Sequence, residues 1–309
     1  MIIDIFRIIL PIVFCIGLGM FLKTRNLFDS KGLTGIKSFV LDYLMPINLG
    51  FATASIKLSA DVAVIPVLGF LMSAMSLVIG IILRRITRQK NRYMEILCTT
   101  YENGLLGIAL FPLLYPQLSL AYDVALDIGF SFFFFLIWVP FMHGQLTEGG
   151  SLLSKLKNVF SSRILQGVFI GLILNLLGVS GWVFSTEFGS ILKDIVAMPL
   201  SVITPLILVV VGYEISFSRK YIKEVALTTV FRIIATGVSC IVCILLLKLV
   251  GVTDKAATYT LILASILPSP FASSVFAGDP DNTEFINMQV STYLAVTLTG
   301  LALMVAFLR

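Results

Sequence analysis

The sequence predicts an all-α membrane protein of ten transmembrane helices, set out as two inverted repeats of five with broken, crossing fourth and ninth helices. Three observations carry that expectation. The 309 residues are 58% hydrophobic and only 13% charged, with a mean hydropathy of +1.02, far from an average soluble domain. Apolar stretches of the length that spans a bilayer, roughly 20 residues, follow one another at 3–22, 33–53, 62–83, 94–115, 120–142, 164–181, 190–213, 225–250, 257–277 and 285–308. The basic residues are shared unevenly among the connections between them.

The first stretch carries Asp4 and Arg7 and has no small-residue cleavage site, so it reads as a span and not as a removed signal peptide. Connections after the odd-numbered spans hold Lys23, Arg25, Lys31 and Lys37, then Arg84, Arg85, Arg88, Lys90 and Arg92. Lys155, Lys157 and Arg163 follow, then Arg219, Lys220 and Lys223. The even connections hold only Lys57, Lys193, Lys248 and Lys255, and the acidic turn from Gly278 to Glu284 has no basic residue. Positive-inside bias puts the odd loops in the cytoplasm and both termini outside, as in a multi-pass plasma-membrane protein, here a prokaryotic inner-membrane one. Five spans per half is an odd number, so similar halves must be inverted.

The expected organisation is a first repeat over 1–142, a cytoplasmic linker over 143–162 and a second repeat over 163–309. The linker is the longest polar stretch, flexible at Gly149-Gly150, with a short amphipathic pattern from Ser151 to Asn158. Faint internal echoes support two repeats. Arg7-Ile-Ile-Leu-Pro-Ile-Val-Phe opens one half and Arg163-Ile-Leu-Gln-Gly-Val-Phe the other, and Met45-Pro46 in span two returns as Met198-Pro199 in span seven.

Spans four and nine are interrupted. The fourth reads Glu102-Asn103-Gly104-Leu-Leu-Gly107-Ile-Ala-Leu-Phe-Pro112, the ninth Ser265-Ile-Leu-Pro268-Ser269-Pro270-Phe-Ala-Ser273-Ser274. A break inside lipid leaves backbone groups unpaired and survives only around a protein-lined cavity. Such segments at matching places of two halves point to a secondary transporter's substrate site. The second half of each broken helix begins with unpaired N–H groups and a partial positive charge, which suits an anion. The expected binding residues are Asn103, Gly104, Gly107, Pro112, Ser265, Pro268, Ser269 and Pro270, with Ser273 a further hydroxyl. Ordinary kinks, common in membrane helices, are the competing reading.

Ionisable groups inside spans are costly and mark function by default. Glu102, Asp42 and Asp127 are therefore candidates for a coupling proton or cation. Glu102 fits equally a hydrogen bond to the broken backbone, and Asp127 a helix end reaching outer water. Asp42 and Arg232, in different parts of the expected fold, fit either a state-dependent pair or separate neutralising contacts. His143, the one histidine, reads as an interfacial loop residue, and Phe132 to Phe135 as packing. Trp182 and Tyr221 suit interfacial anchors.

Several classes are disfavoured. Cys15, Cys98, Cys240 and Cys243 all lie in apolar spans, and a metal at Cys240-Ile-Val-Cys243 would need two more ligands in hydrocarbon; no metal and no cofactor are expected. The net charge of +5 lies in loop asymmetry, without a basic-aromatic patch for nucleic acid. Gly-x-Ser-x-Gly, His-Glu-x-x-His and ATP-binding motifs are absent from the sequence, which argues against an enzyme or an ATP-driven pump.

Met45-Pro46, the Gly104-x-x-Gly107 break, Pro199 through Gly212-Tyr-Glu, Pro268 and Ser291-Thr292 together resemble the auxin efflux carrier family of secondary transporters, in its malate/malonate permease-like bacterial branch. The likeness runs along nearly the whole chain. It implies spans one, two, six and seven as a scaffold, the rest as a moving domain, and a homodimer in the bilayer. It also implies export or import of organic anions such as malate, malonate or auxin-like carboxylates by elevator-type alternating access. Proton coupling is the leading expectation, a sodium-coupled symporter the alternative, and a channel or sensor the remaining one. The sequence departs from the family at three places: Glu102 stands where the family's asparagine aligns, Pro112 lies three residues late, and Ser162-Arg163 replaces an Asn-Pro.

Overall fold

In the computed structural model the described residues are 2–56, 59–142, 163–215, 218–271, 273, 277 and 279–308. The linker with its Ser151–Asn158 pattern, His143 and Ser274 lie outside them. All regular structure among the described residues is helical, as a bilayer requires of any segment whose backbone must satisfy itself.

Five described helices are long and apolar enough to cross a membrane: Ala60–Ile86, Ala121–Met142, Glu187–Glu214, Ile222–Leu249 and Pro280–Leu308. They answer to expected spans three, five, seven, eight and ten. Span one is the helix Ile2–Thr24 and span six the shorter helix Arg163–Leu176. Span two is continuous but irregular. Its helix Ser30–Phe39 widens to π register over Val40–Leu44 and returns to α over Met45–Ser55. The cause is local: Pro46 has no N–H to return to the Asp42 carbonyl, so the ladder just before it re-pairs, with Met45 N–H reaching Val40 O.

The chain forms two compact units, each assembled from separated stretches. One comprises Leu10–Ser59 and Lys157–Glu214, the other Met1–Ile9, Ala60–Leu156 and Ile215–Arg309. The first gathers expected spans two, six and seven and span one from Leu10 onward, and the second gathers the remainder with the start of span one.

Within the Leu10–Ser59/Lys157–Glu214 unit, helices Met45–Ser55 and Arg163–Leu176 approach closely. A Cβ on Gly167 would collide with the Pro46 carbonyl, and one on Gly50 would come within 2.8 Å of Gly167 O. Small residues at such contacts replace hydrophobic driving force with close van der Waals packing. Asn175 Nδ2 then donates to Thr53 O at 2.8 Å and Ile56 O at 2.7 Å, satisfying carbonyls at the end of Met45–Ser55. Tyr213 Oη donates to Phe28 O at 2.5 Å, and Lys37 Nζ meets Glu214 Oε1 at 2.5 Å.

In the other unit, Ala60–Ile86 packs along Ala121–Phe133 and Ile222–Leu249, which in turn meets Lys255–Ile266 and Pro280–Leu308. Arg84 Nε pairs with Glu95 Oε2 at 2.5 Å near one end of this bundle. Its interior holds an unusual number of polar groups for a membrane protein, among them Ser76, Thr99, Thr100, Asn103, Asp123, Arg232, Ser239, Thr260 and Gln289.

The Gly167 contact yields a first test. Gly167→Val should destabilise the protein by roughly 1–3 kcal/mol through overpacking. Gly17→Ala, where an added Cβ meets nothing within 4 Å, should not. Thermal unfolding of the detergent-purified protein, measured side by side for the two variants, reads the difference.

Candidate functional site

The site lies in the unit that contains Ala60–Leu156 and Ile215–Arg309, where the fourth and ninth expected spans depart from regular helix. Tyr93–Ile96 is a single helical turn, and the chain does not resume helix until Asn103. Thr100 explains the stop. Its φ of 46° is left-handed, a conformation that costs a β-branched residue about 1–3 kcal/mol and turns the backbone out of the helical path. The carbonyls of Leu97, Thr99 and Thr100 are thereby left without helical partners. On the other segment Lys255–Ile266 ends where Pro268 follows, and Leu267 is extended at ψ 150°.

One side chain answers these carbonyls. Arg232, from the middle of Ile222–Leu249, is wholly buried. Its Nη1 donates to Leu97 O at 2.5 Å, Thr99 O at 2.9 Å and Ser269 Oγ at 2.9 Å. Its Nη2 donates to Thr100 O at 2.8 Å and Leu267 O at 2.9 Å. The guanidinium thus caps the carboxyl ends of both interrupted helices, where the dipole favours a cation. The Tyr101 and Tyr293 rings flank it at 5.4 and 4.8 Å, within cation–π range. Tyr101 Oη is 2.9 Å from Ser76 Oγ, which is 3.0 Å from Ser239 Oγ, so the enclosing shell is itself hydrogen-bonded.

Glu102 ties the two segments directly. Its N–H donates to Pro268 O at 3.0 Å, and its Oε2 accepts the Phe271 N–H at 2.5 Å. Of the two roles open to Glu102 in the sequence, the bond to irregular backbone is the one seen. Ser269 Oγ also donates to Leu97 O at 2.9 Å.

Beyond Glu102 the chain re-enters helix through a π turn over Asn103–Gly107 that runs into Ile108–Leu114, and the first turn has no side-chain cap. Gly104 is half-buried there. Gly107 must be glycine because Asn103 folds over it: a Cβ would strike the Asn103 side-chain oxygen and stand 3.3 Å from Leu267 Cδ1. Asn103, fully buried, donates through Nδ2 to Asp123 O at 3.1 Å, while its Oδ1 receives no hydrogen bond.

The expected site residues therefore divide. Glu102, Asn103, Gly107, Pro268 and Ser269 come together, with Gly104 and Pro270 half-buried in the same segments. Ser265 turns its hydroxyl to Ile262 O of its own helix. Pro112 sits exposed inside Ile108–Leu114, past the interruption. Asp42 belongs to the other unit, where it lines a cavity of about 560 Å³ with Pro46, Gly50, Arg163 and Gln166. Asp127 is buried and does not reach outer water. Ser273 is buried, and its hydroxyl has no partner.

Sequence reasoning passed over three participants. Arg232 stood out as a deep charge but not as part of the break. Thr100 gives no signal in composition, since only its dihedral marks it. Asp123 was detectable, because Asp123 and Asp127 are four apart in one span and so share a helix face.

Residues 4–152 match the family model described as membrane transport protein. No curated protein sequence matches the chain.

Removing the clamp should be severe. Arg232→Met would orphan buried acceptors at about 1–3 kcal/mol each. Loss of folded, monodisperse protein on size-exclusion chromatography is expected, with Arg232→Lys, which keeps the charge but fewer donors, intermediate.

Proposed function

From a multi-pass membrane protein that belongs over residues 4–152 to the membrane transport protein family, we propose a secondary active transporter for a small organic anion, a carboxylate such as malate, malonate or an auxin-like acid. The observation that carries this reading is the joined pair of interrupted segments. Arg232 consumes carbonyl ends of the breaks and the Glu102 N–H takes the Pro268 carbonyl, while the Glu102 carboxylate holds the Phe271 N–H, so the donors left for a ligand lie where the chain re-enters helix after Glu102. They comprise the first turn from Gly104 onward, which has no side-chain cap and follows an Asn103 N–H already given to Tyr101 O, and the unpartnered Ser273 hydroxyl. Backbone N–H groups at a helix start, backed by its dipole, are suited to a carboxylate. In this reading no lysine or arginine is needed at that point, and Arg232 is occupied through its two Nη atoms by four carbonyls and the Ser269 hydroxyl.

The working cycle in this reading is elevator-type alternating access. Both interrupted segments lie in one compact unit, which would carry the ligand as a body, while the unit holding expected spans one, two, six and seven stays fixed. The two-fold inverted arrangement of ten spans, with the fourth and ninth crossing, is the topology that gives such a unit equivalent outward and inward positions. A homodimer in the plasma membrane, with both termini extracytoplasmic, completes the proposal. Proton coupling is preferred over sodium coupling because carboxylates lie buried beside the break; a channel would more readily show a repeated pore-lining helix.

Counterflow of labelled malate in proteoliposomes tests the reading. Saturable exchange should be seen with wild-type protein. Gly107→Ala, which pushes the Asn103 side chain off the turn, should cut it by roughly tenfold or more, as small misplacements do in organised sites. If neither malate nor a panel of other carboxylates exchanges in folded protein, the organic-anion assignment fails.

A further inference from the structure

Helix Ala121–Phe133 carries Asp123 and Asp127 on one face, and both carboxyls are buried. Neither carboxyl oxygen of Asp123 receives a hydrogen bond. The Asn103 amide lies within electrostatic reach of both carboxyls, but its hydrogen bond goes to the Asp123 backbone carbonyl. Asn103 Oδ1 is likewise buried and unpartnered. The carboxyl oxygens and Asn103 Oδ1 are acceptors, and the cluster's donors are the Asn103 amide hydrogens, which serve the Asp123 backbone carbonyl. What the orphan oxygens lack is a hydrogen.

The described elements packed against this helix bring charged groups, but none is paired with either carboxyl. Helix Ala121–Phe133 packs against Ala60–Ile86, Lys255–Ile266, Asn103–Gly107 and Ile108–Leu114. The first of these contributes Asp61, which acts on Tyr122, and Arg84, which is committed to Glu95, with Arg85 beside it at the helix end. Lys255–Ile266 contributes Lys255 in its first turn and Tyr259, which stacks on Tyr115 at 4.7 Å. Glu102, next to Asn103, holds the Phe271 N–H. No ion pair among the described residues includes Asp123 or Asp127. Two ionised carboxylates without a paired cation in a low-dielectric interior repel each other and forfeit hydration, a cost that one bound proton lowers.

The geometry points to Asp123 and Asp127, with Asn103, as the coupling site, which holds one proton that is taken up with the anion and released on the opposite side. This rests on the transporter reading above and locates its ion. The proton adds to a carboxylate oxygen of the pair, takes its charge from −2 to −1, and supplies the missing O–H donor to the orphan acceptors. It leaves as hydronium or to water when the cluster is wetted. Asp123 and Asn103 offer three orphan oxygens, short of the about six that a hard metal cation gathers, whereas a proton needs only two. Asn103 links this site to the substrate turn, since its backbone begins the turn while its side chain reaches the carboxyls. Occupancy of one is thereby felt by the other.

Infrared difference spectra on a pH jump, recorded on full-length protein in nanodiscs, test the assignment without any transport. Wild type should show a protonated-carboxyl C=O band that Asp123→Asn or Asp127→Asn each alters, that the double variant loses, and that Asn103→Ala shifts. Circular dichroism and size-exclusion profiles matching wild type establish that each variant is folded, and a single variant suffices if the double one is not. Unchanged bands in folded variants overturn the proposal. So does a band elicited by sodium at constant pH that Asp123→Asn lacks, which would make the ligand a metal cation. In proteoliposomes an imposed proton gradient should drive malate uptake in wild type and have no effect on Asp123→Asn. Failure of malate exchange with the infrared band intact would count against the substrate and not against the proton site.

Discussion

A guanidinium in the middle of a membrane-embedded bundle is ordinarily a liability, costing several kcal/mol of lost hydration unless it is fully engaged. Here Arg232 is engaged by five oxygens drawn from two separate chain segments. The exchange is mutual. Leu97, Thr99, Thr100 and Leu267 present carbonyls that no helix can use, and Arg232 presents donors that no carboxylate claims. Neither partner is tolerable alone, and together they allow two helices to stop in the bundle interior. The Thr100 dihedral, the Glu102 bridge and the stacking of Tyr101 and Tyr293 all follow from holding that arrangement in place.

With the carbonyl ends neutralised, the break becomes electrically one-sided. Cationic charge is absorbed largely by backbone acceptors, and the helix start over Asn103–Gly107 has no side-chain cap. Polarity of this kind lets a protein present positive potential to a ligand without exposing a lysine or arginine to it. The acidic pair behind Asn103 extends the same logic, because a donor-rich turn and an acceptor-rich pocket share one residue.

Much of this was legible in the residues. Hydropathy and loop charge mark the spans, and the Gly/Pro clusters at Gly104–Gly107 and Pro268–Pro270 lie at or beside the interruptions. Grouping of expected spans one, two, six and seven into one unit, implied by resemblance, is the grouping seen. Other features depend on three-dimensional pairing that periodicity does not encode. Pro112 looks like a breaker, yet it sits within a short helix, because the backbone has already left the helical path at Thr100. Ser265 looked like a ligand, yet its hydroxyl is taken by the carbonyl three residues back. Arg232 could be seen as deep, but its partners are carbonyl oxygens, which every residue possesses and no sequence singles out.

The clamp also sets a condition on how the chain is made. Leu97 meets its partner only 135 residues further along the chain, and the Glu102 N–H waits for Pro268. During insertion the fourth span thus enters the bilayer before anything exists to satisfy its carbonyls. An unpaired backbone in hydrocarbon is expensive, so the nascent segment must stay helical, stay at the interface or be sheltered by the insertion machinery until the eighth and ninth spans arrive. By any of these routes the segment takes its irregular shape late, around the arriving arginine.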